Sequence, residues 1–293
     1  MSHCTHADET ELIIGLDYPF KEEHLSGYRE ICEYVQTISG FKRVTIFKRD
    51  VNHGSSKNMN SLYQYAFSKY DAIIVSEDDN EFAPGFLDYM NKGLKMYRDC
   101  QDVTSISGFS GLFHRGKEDD ATYFTYDNSA WGLGLWKDKE AEYAGINDVY
   151  YCDIIRSFRK SARVLSIYPM LFSMLLNMYQ KGTRYGDTKR TCRNLMEKKY
   201  QLRPNKSLVR NWGNDGSGLN CRKIDKSFAK MELNSAPIFN LKIEEIRFSG
   251  NRIGLFCYGM KGGIPFALCK IVKLLFRRLI VIRKYLRTEM QAM

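Results

Sequence analysis

The sequence predicts an α/β fold, a doubly wound and mostly parallel sheet flanked by helices. Three observations carry this expectation. Apolar runs alternate with helical periods in the order β-α-β-α-β up to Val75, and right-handed crossovers turn that order into a parallel sheet. One run, Ala72-Ile73-Ile74-Val75, is apolar without alternation, as a strand covered on both faces must be. It ends in Ser76 and three consecutive acids, Glu77, Asp78 and Asp79, and open α/β sheets bind ligands where such strands end.

Glu11 to Leu16 (ELIIGL) opens the pattern as a strand and stops at Asp17-Tyr18-Pro19. From His24 to Ile38 the residues Leu25, Tyr28, Ile31, Cys32 and Val35 recur at helical spacing. Val44 to Phe47 is a second strand, followed by the loop Arg49 to Asn60 and a helix over Asn58–Tyr70. In that loop Gly54 permits a close backbone approach, and Arg49 and Lys57 offer charge-assisted contacts to a diphosphate beside a helix N-terminus. Beyond the acids come a helix over Gly85–Tyr97, a strand over Val103–Ile106, an apolar helix over Met170–Gln180 and a short strand over Leu241–Phe248.

Three adjacent carboxylates repel one another unless a cation or base offsets them. Oxygen donors of this kind suit Mn²⁺ or Mg²⁺, which bind through one or two carboxylates plus substrate phosphates. The alternative is an acidic helix cap, with Asp79 or Asn80 preceding a helix that begins near Pro84. Further on, Trp131-Gly132-Leu133-Gly134-Leu135-Trp136 sets aromatic rings beside glycines, which suits a sugar lying on a ring; a core strand is the alternative.

The strand, its acids, the Phe82-Ala83-Pro84 turn and the aromatic helix after it resemble the metal-binding motif of GT-A fold glycosyltransferases, the N-acetylglucosaminyltransferase I type above all. Members also carry a Gly-Leu-Gly-Trp element, from which this chain departs by the inserted Leu135, and an Arg-Pro-x-x-Ser element, here Arg203-Pro204-Asn205-Lys206-Ser207. The resemblance covers Glu11 to Gly218 and implies a metal-dependent transferase of hexosyl or N-acetylhexosaminyl groups, similar to enzymes of bacterial surface-polysaccharide synthesis. It implies Asp79 as the metal ligand, with Asp17, Arg49, Asn52, Lys57, Glu77 and Asp78 on the nucleotide-sugar. Trp131, Gly132, Gly134 and Trp136 would face sugar or acceptor. Asp187 falls where the family has its catalytic base, implying inversion, with an ordinary helix cap as the alternative and Asp148 and Asp153 in reserve. Asn211 to Gly218 would form a loop over the nucleotide, with Asp215 on it. Family domains begin with one more strand, so the resemblance also points to a truncated or misassigned start, or to a transferase relic that binds membrane or partner.

Composition agrees with a folded α/β protein and narrows the partners. The chain has 293 residues, 44 Lys and Arg against 34 Asp and Glu, and a net charge of +10. That charge alone permits nucleic acid, yet the densest basic cluster does not interleave with aromatics on a domain face, so nucleic acid is not expected. Eight cysteines lie scattered without a C-x-x-C pair, which reads as reduced thiols rather than a disulfide scaffold. The polar first residues carry no secretory pattern; His3, Cys4 and His6 read as an irregular terminus, with a metal tract as the alternative.

The tail differs in kind. From Ile264 to Tyr285, Lys270, Lys273, Arg277 and Lys284 share one helical face and Leu275, Leu279 and Ile282 the opposite one, with Arg283 at the margin. The charges argue against a spanning helix and for one lying on an anionic membrane surface. The expected layout is a transferase domain over 1–221, an irregular extension over 222–262 and a basic amphipathic helix over 263–293. The protein would then be cytoplasmic and attached to the inner face of the plasma membrane, with a glycan or lipid-linked acceptor.

Overall fold

The strands expected as far as Val103–Ile106 form, but they do not make one parallel sheet. The structure is a computed structural model that describes residues 1–111, 118–182, 186–213, 231–259 and 263–286. β1 (Glu11–Leu16) and β2 (Arg43–Lys48) pair in parallel, in register from Glu11 opposite Arg43 to Leu16 opposite Lys48. α1 (Leu25–Thr37) connects them, and α2 (Ser55–Lys69) leads to β3 (Ala72–Val75). β3 does not extend the first pair. It is the edge of a separate five-stranded sheet, β3-β7-β5-β8-β6, with β5 (Val103–Ser107), β6 (Thr122–Thr125), β7 (Leu133–Trp136) and β8 (Tyr200–Pro204).

Within this sheet only β5 and β8 are parallel neighbours; β3–β7, β7–β5 and β6–β8 are antiparallel. The expectation of a mostly parallel sheet is therefore corrected to a mixed one. The reason is local: β6 and β7 return from the end where β3 stops, and each inserts antiparallel beside strands that run the other way. The Trp-Gly-Leu-Gly-Leu-Trp segment is thus the core strand. All four residues of β7 are buried, and Trp136 is fully enclosed with its indole donating to Leu94 O at 3.0 Å.

α3 (Phe86–Met96) lays Phe86, Leu87, Tyr89, Met90 and Leu94 on this sheet, and Gly93 lets it approach Ile106. The chain over 231–249 wraps behind α3: Phe239 is buried against Tyr89 and its N–H donates to Asp88. The strand expected over Leu241–Phe248 is absent. A single bridge joins Phe248 to Phe124, and the Ser249 hydroxyl accepts the Phe124 N–H that a ladder would have used. The first ten residues form turns without helix or strand, as expected, and are anchored: buried Cys4 donates to Ala83 O and His3 meets Phe82 O.

A second core is helical. α4 (Lys137–Ala144) follows β7, and then α5 (Asp148–Arg156), α6 (Phe158–Ile167), α7 (Pro169–Lys181) and α8 (Gly186–Glu197) pack around Phe172, Leu175, Leu176 and Leu195. Asn147 and Ser157 cap α5 and α6 by accepting the N–H groups of Val149 and Lys160. Pro169 opens α7, and Gly182, at φ 68°, closes it. Two further helices, α9 (Arg252–Cys257) and α10 (Gly263–Val281), complete this core through Leu255, Leu274 and Val281. The seven described cysteines are all free thiols.

Candidate active site

β3 ends at Val75 and releases Glu77, Asp78 and Asp79 at the sheet edge where β5 and β8 also finish. A short ribbon then fixes the acids: β4 (Asn80–Phe82) pairs antiparallel with β9 (Val209–Asn211). Asn211 donates to Asp79 Oδ1 at 2.5 Å and to Asn80 Oδ1 at 3.1 Å, and Trp212 N–H reaches Asp79 O. Arg210 grips Glu81 through Nε and Nη2, and the Trp212 indole adds a bond at 2.7 Å. The acids are therefore not a helix cap, because a strand separates them from α3.

Two more segments close on the acids from the same side. Trp131 stands in the turn before β7, edge-on to Phe109 at 4.6 Å, and its indole donates to Glu77. Asp187, in the first turn of α8, accepts from Asn128 Nδ2 at 2.8 Å. Glu77 keeps solvent access, but crowding by protein raises the pKa of its carboxyl, and the charges of Asp79, Asp187 and Asp78 raise it further. Asp187 is raised too, by dehydration of its carboxyl and then by Asp127, while Asn128, Arg190 and Arg203 pull it back. The Glu77 carboxyl thus feels the charges of Asp79 and Asp187 together.

Asn128 is held in place by a buried network that sequence reasoning missed. Gln201 on β8 donates to Asn128 Oδ1 and accepts from Ser129 N–H, both at 3.0 Å. Arg203, enclosed at the end of β8, donates to Gln201 Oε1 and to Asp127 Oδ2 at 2.9 Å. The Arg of the Arg-Pro-x-x-Ser element is thus a structural strut behind Asn128. Tyr63 from α2 completes the surroundings: burial and the nearby Glu140, Asp187 and Glu77 push its phenol up to about 12, against a lowering by Arg190. No local pattern announces these residues, because each acts through partners dozens of positions away.

The expected nucleotide residues gather elsewhere. Asp17 accepts the N–H of His53 at 2.8 Å, and Asn52 donates to Tyr18 O, so Asp17 and Asn52 meet where β1 and β2 end. An open cleft of about 480 Å³ lies there, lined by Leu16, Asp17, Pro19, His24, Tyr28 and Ile31. Lys57 is exposed, whereas Arg49 is engaged by Asn58 and Ser61 at the start of α2. Asp215 lies outside the described residues, as does most of the loop expected from Asn211 to Gly218.

Three sugar-facing expectations are corrected. Trp136 is fully buried and points at α3, so no ligand reaches its ring. A Cβ at Gly132 would stand 2.7 Å from Phe86 and Val209, and one at Gly134 would stand 2.9 Å from Met90. Those glycines admit the sheet's own packing and do not face a sugar. The reserve acids are committed to other partners: Asp148 pairs with Lys189, and Asp153 with Lys160.

Among the described residues no three His, Cys, Asp or Glu side chains converge as an all-protein metal cage. A Mn²⁺ or Mg²⁺ ion shared with substrate phosphates asks for fewer ligands, and the carboxylate oxygens of Asp79 and Glu77 are the hard donors it prefers. The space beside Asp79 is kept by a glycine: a Cβ at Gly213 would lie 2.0 Å from Asp79 Oδ2. The donor set fits such an ion. No family model matches this chain, and no curated protein matches it.

Proposed function

We propose that the protein is a metal-dependent glycosyltransferase that moves a sugar from a nucleotide-sugar to a hydroxyl acceptor with inversion. One observation carries the reading. Asp187, from the first turn of α8, comes near enough to Glu77, in the acid segment after β3, to raise its pKa together with Asp79, beside the half-buried ring of Trp131. An acid cluster that costs electrostatic energy when empty is stabilised by a cation and a reacting hydroxyl. Asp79 and Glu77 would hold the ion, which when bound neutralises the departing diphosphate.

Asp187 is the base in this reading. It takes the proton from the acceptor hydroxyl as that oxygen attacks the anomeric carbon and the nucleoside diphosphate departs from the opposite face. Asn128 orients the carboxylate through its 2.8 Å bond, leaving the other oxygen for the acceptor. The raised pKa makes Asp187 a stronger base than an ordinary aspartate. The Trp131 face offers the sugar an apolar platform, and the cleft at Asp17 has room for a planar base.

Isothermal titration with UDP, GDP and dTDP, each with and without Mn²⁺, tests the donor site. One nucleotide should bind only with the metal, and Asp79→Ala should abolish that binding. Binding without metal dependence, or unchanged in Asp79→Ala, would overturn the reading. With a transferring donor in hand, Asp187→Asn should lower kcat by roughly 10²–10⁴-fold. The acidic limb of kcat/KM should lie above the ordinary carboxylate range, because Asp187 must lose its proton to act.

A further inference from the structure

Helix α10 does not divide into the basic and apolar faces that its sequence suggests. Arg277 turns inward and donates to Asn177 and Gln180 of α7, and Lys270 lies against Met170. Arg278 is buried, its Nε donating to Ile155 O at 2.6 Å and to Ser161 Oγ at 3.1 Å. Ala267, Leu274 and Val281 fill the same inner face. Two of the four cations on the expected basic face are therefore used for packing, and Leu275 and Ile282 of the expected apolar face are partly buried as well.

What remains outside is apolar. Leu268, Val272, Phe276, Leu279 and Ile280 are between 54 and 68 % exposed and fall on one arc of about 120° at 100° per residue. A single exposed leucine is ordinary on a folded protein, but a continuous arc of this kind marks a contact surface. Exposed Lys273, Arg283 and Lys284 stand within or beside the arc. From residue 246 to residue 288 the chain has ten Lys and Arg and no Asp or Glu.

We infer that the outer face of α10 docks on an anionic lipid surface, with Phe276 and Val272 in the acyl boundary and Lys273, Arg283 and Lys284 at the headgroups. Charge decides between this occupant and a second copy of the chain. A twofold pairing of α10 on itself would bury these cations against one another with no acid on the helix to offset them. Anionic headgroups supply the missing charge. No helix among the described residues is long and apolar enough to cross a membrane, so the contact is one of lying on the surface. The inference does not depend on the transferase reading.

The test is co-sedimentation of the full chain with phosphatidylcholine vesicles, with and without phosphatidylglycerol, alongside analytical ultracentrifugation. The protein should bind the anionic vesicles and be released by salt. Phe276→Asp and the double variant Arg283→Glu with Lys284→Glu should each weaken binding by roughly tenfold or more. Both changes lie at exposed positions, and circular dichroism should match that of the wild type. Phe20→Asp, at a residue 80 % exposed far along the chain, should bind as the wild type does. Equal binding by Phe276→Asp would overturn the inference. So would a wild-type dimer that ignores vesicles and dissociates with Phe276→Asp, which would assign the face to a second copy.

Discussion

The β1–β2 sheet and the five-stranded sheet are written in similar residues and packed in different ways. β1 reads ELIIGL and its partner β2 RVTIFK, and no position in either is buried. β7 and β8 read LGLW and YQLRP, the latter with a glutamine and an arginine, and every position in both is buried. Around β1 and α1, Phe20, Ile31, Tyr34 and Val51 are largely exposed, whereas α3 and the 231–249 segment cover the five-stranded sheet with rings and methyls. Burial follows from how many elements cover a strand. The apolarity of the strand alone does not decide it.

Unfolding measurements can break or sharpen this contrast. The largest effect belongs to Trp136→Ala, which empties a fully enclosed site and strands the Leu94 carbonyl. It should cost about 3–5 kcal/mol in urea unfolding. Asp127→Ala comes next, at about 3 kcal/mol, because it leaves the guanidinium of enclosed Arg203 without its charge partner. Ile13→Ala in half-buried β1 should cost only about 1–1.5 kcal/mol. A cost near that of Trp136→Ala would mean that the first sheet is covered in solution by something beyond the described residues.

The smallest effect has a sign of its own. Asp187 has a raised folded pKa, so its ionisation costs stability once the pH passes upward through the unfolded and then the folded value. Asp187→Asn should therefore raise the melting temperature at neutral pH by roughly 1–2 °C, since solvent access discounts the penalty. Below the unfolded value the gain should vanish. A loss of stability at neutral pH would show Asp187 to be a structural acid rather than a reacting one.

Much of the chain was legible because its signals are local. The bounds of β1 and β3 and the extents of α1 and α3 follow from periodicity within a dozen residues. What escaped is made by distant partners. The Arg203–Gln201–Asn128 relay joins two segments more than seventy residues apart, and the packing that turns Arg277 inward is supplied by α7, a hundred positions earlier. Lys139 makes the same point. On an otherwise polar helix it reads as a solvated cation, yet it is buried over the Trp136 ring at 3.7 Å and donates to the carbonyls of Tyr97, Cys100 and Val103. The acid triplet was visible, but its meeting with Asp187 depended on a topology that the linear pattern had read as parallel.

Gly213 carries a consequence for how this sequence can change. Because no methyl fits between it and Asp79, the two positions cannot drift independently. Alanine at 213 would swing the Asp79 carboxylate away from Asn211. A shorter side chain at 79 would restore the room but remove the carboxylate that Asn211 holds, so a change at either position alters the setting of the other.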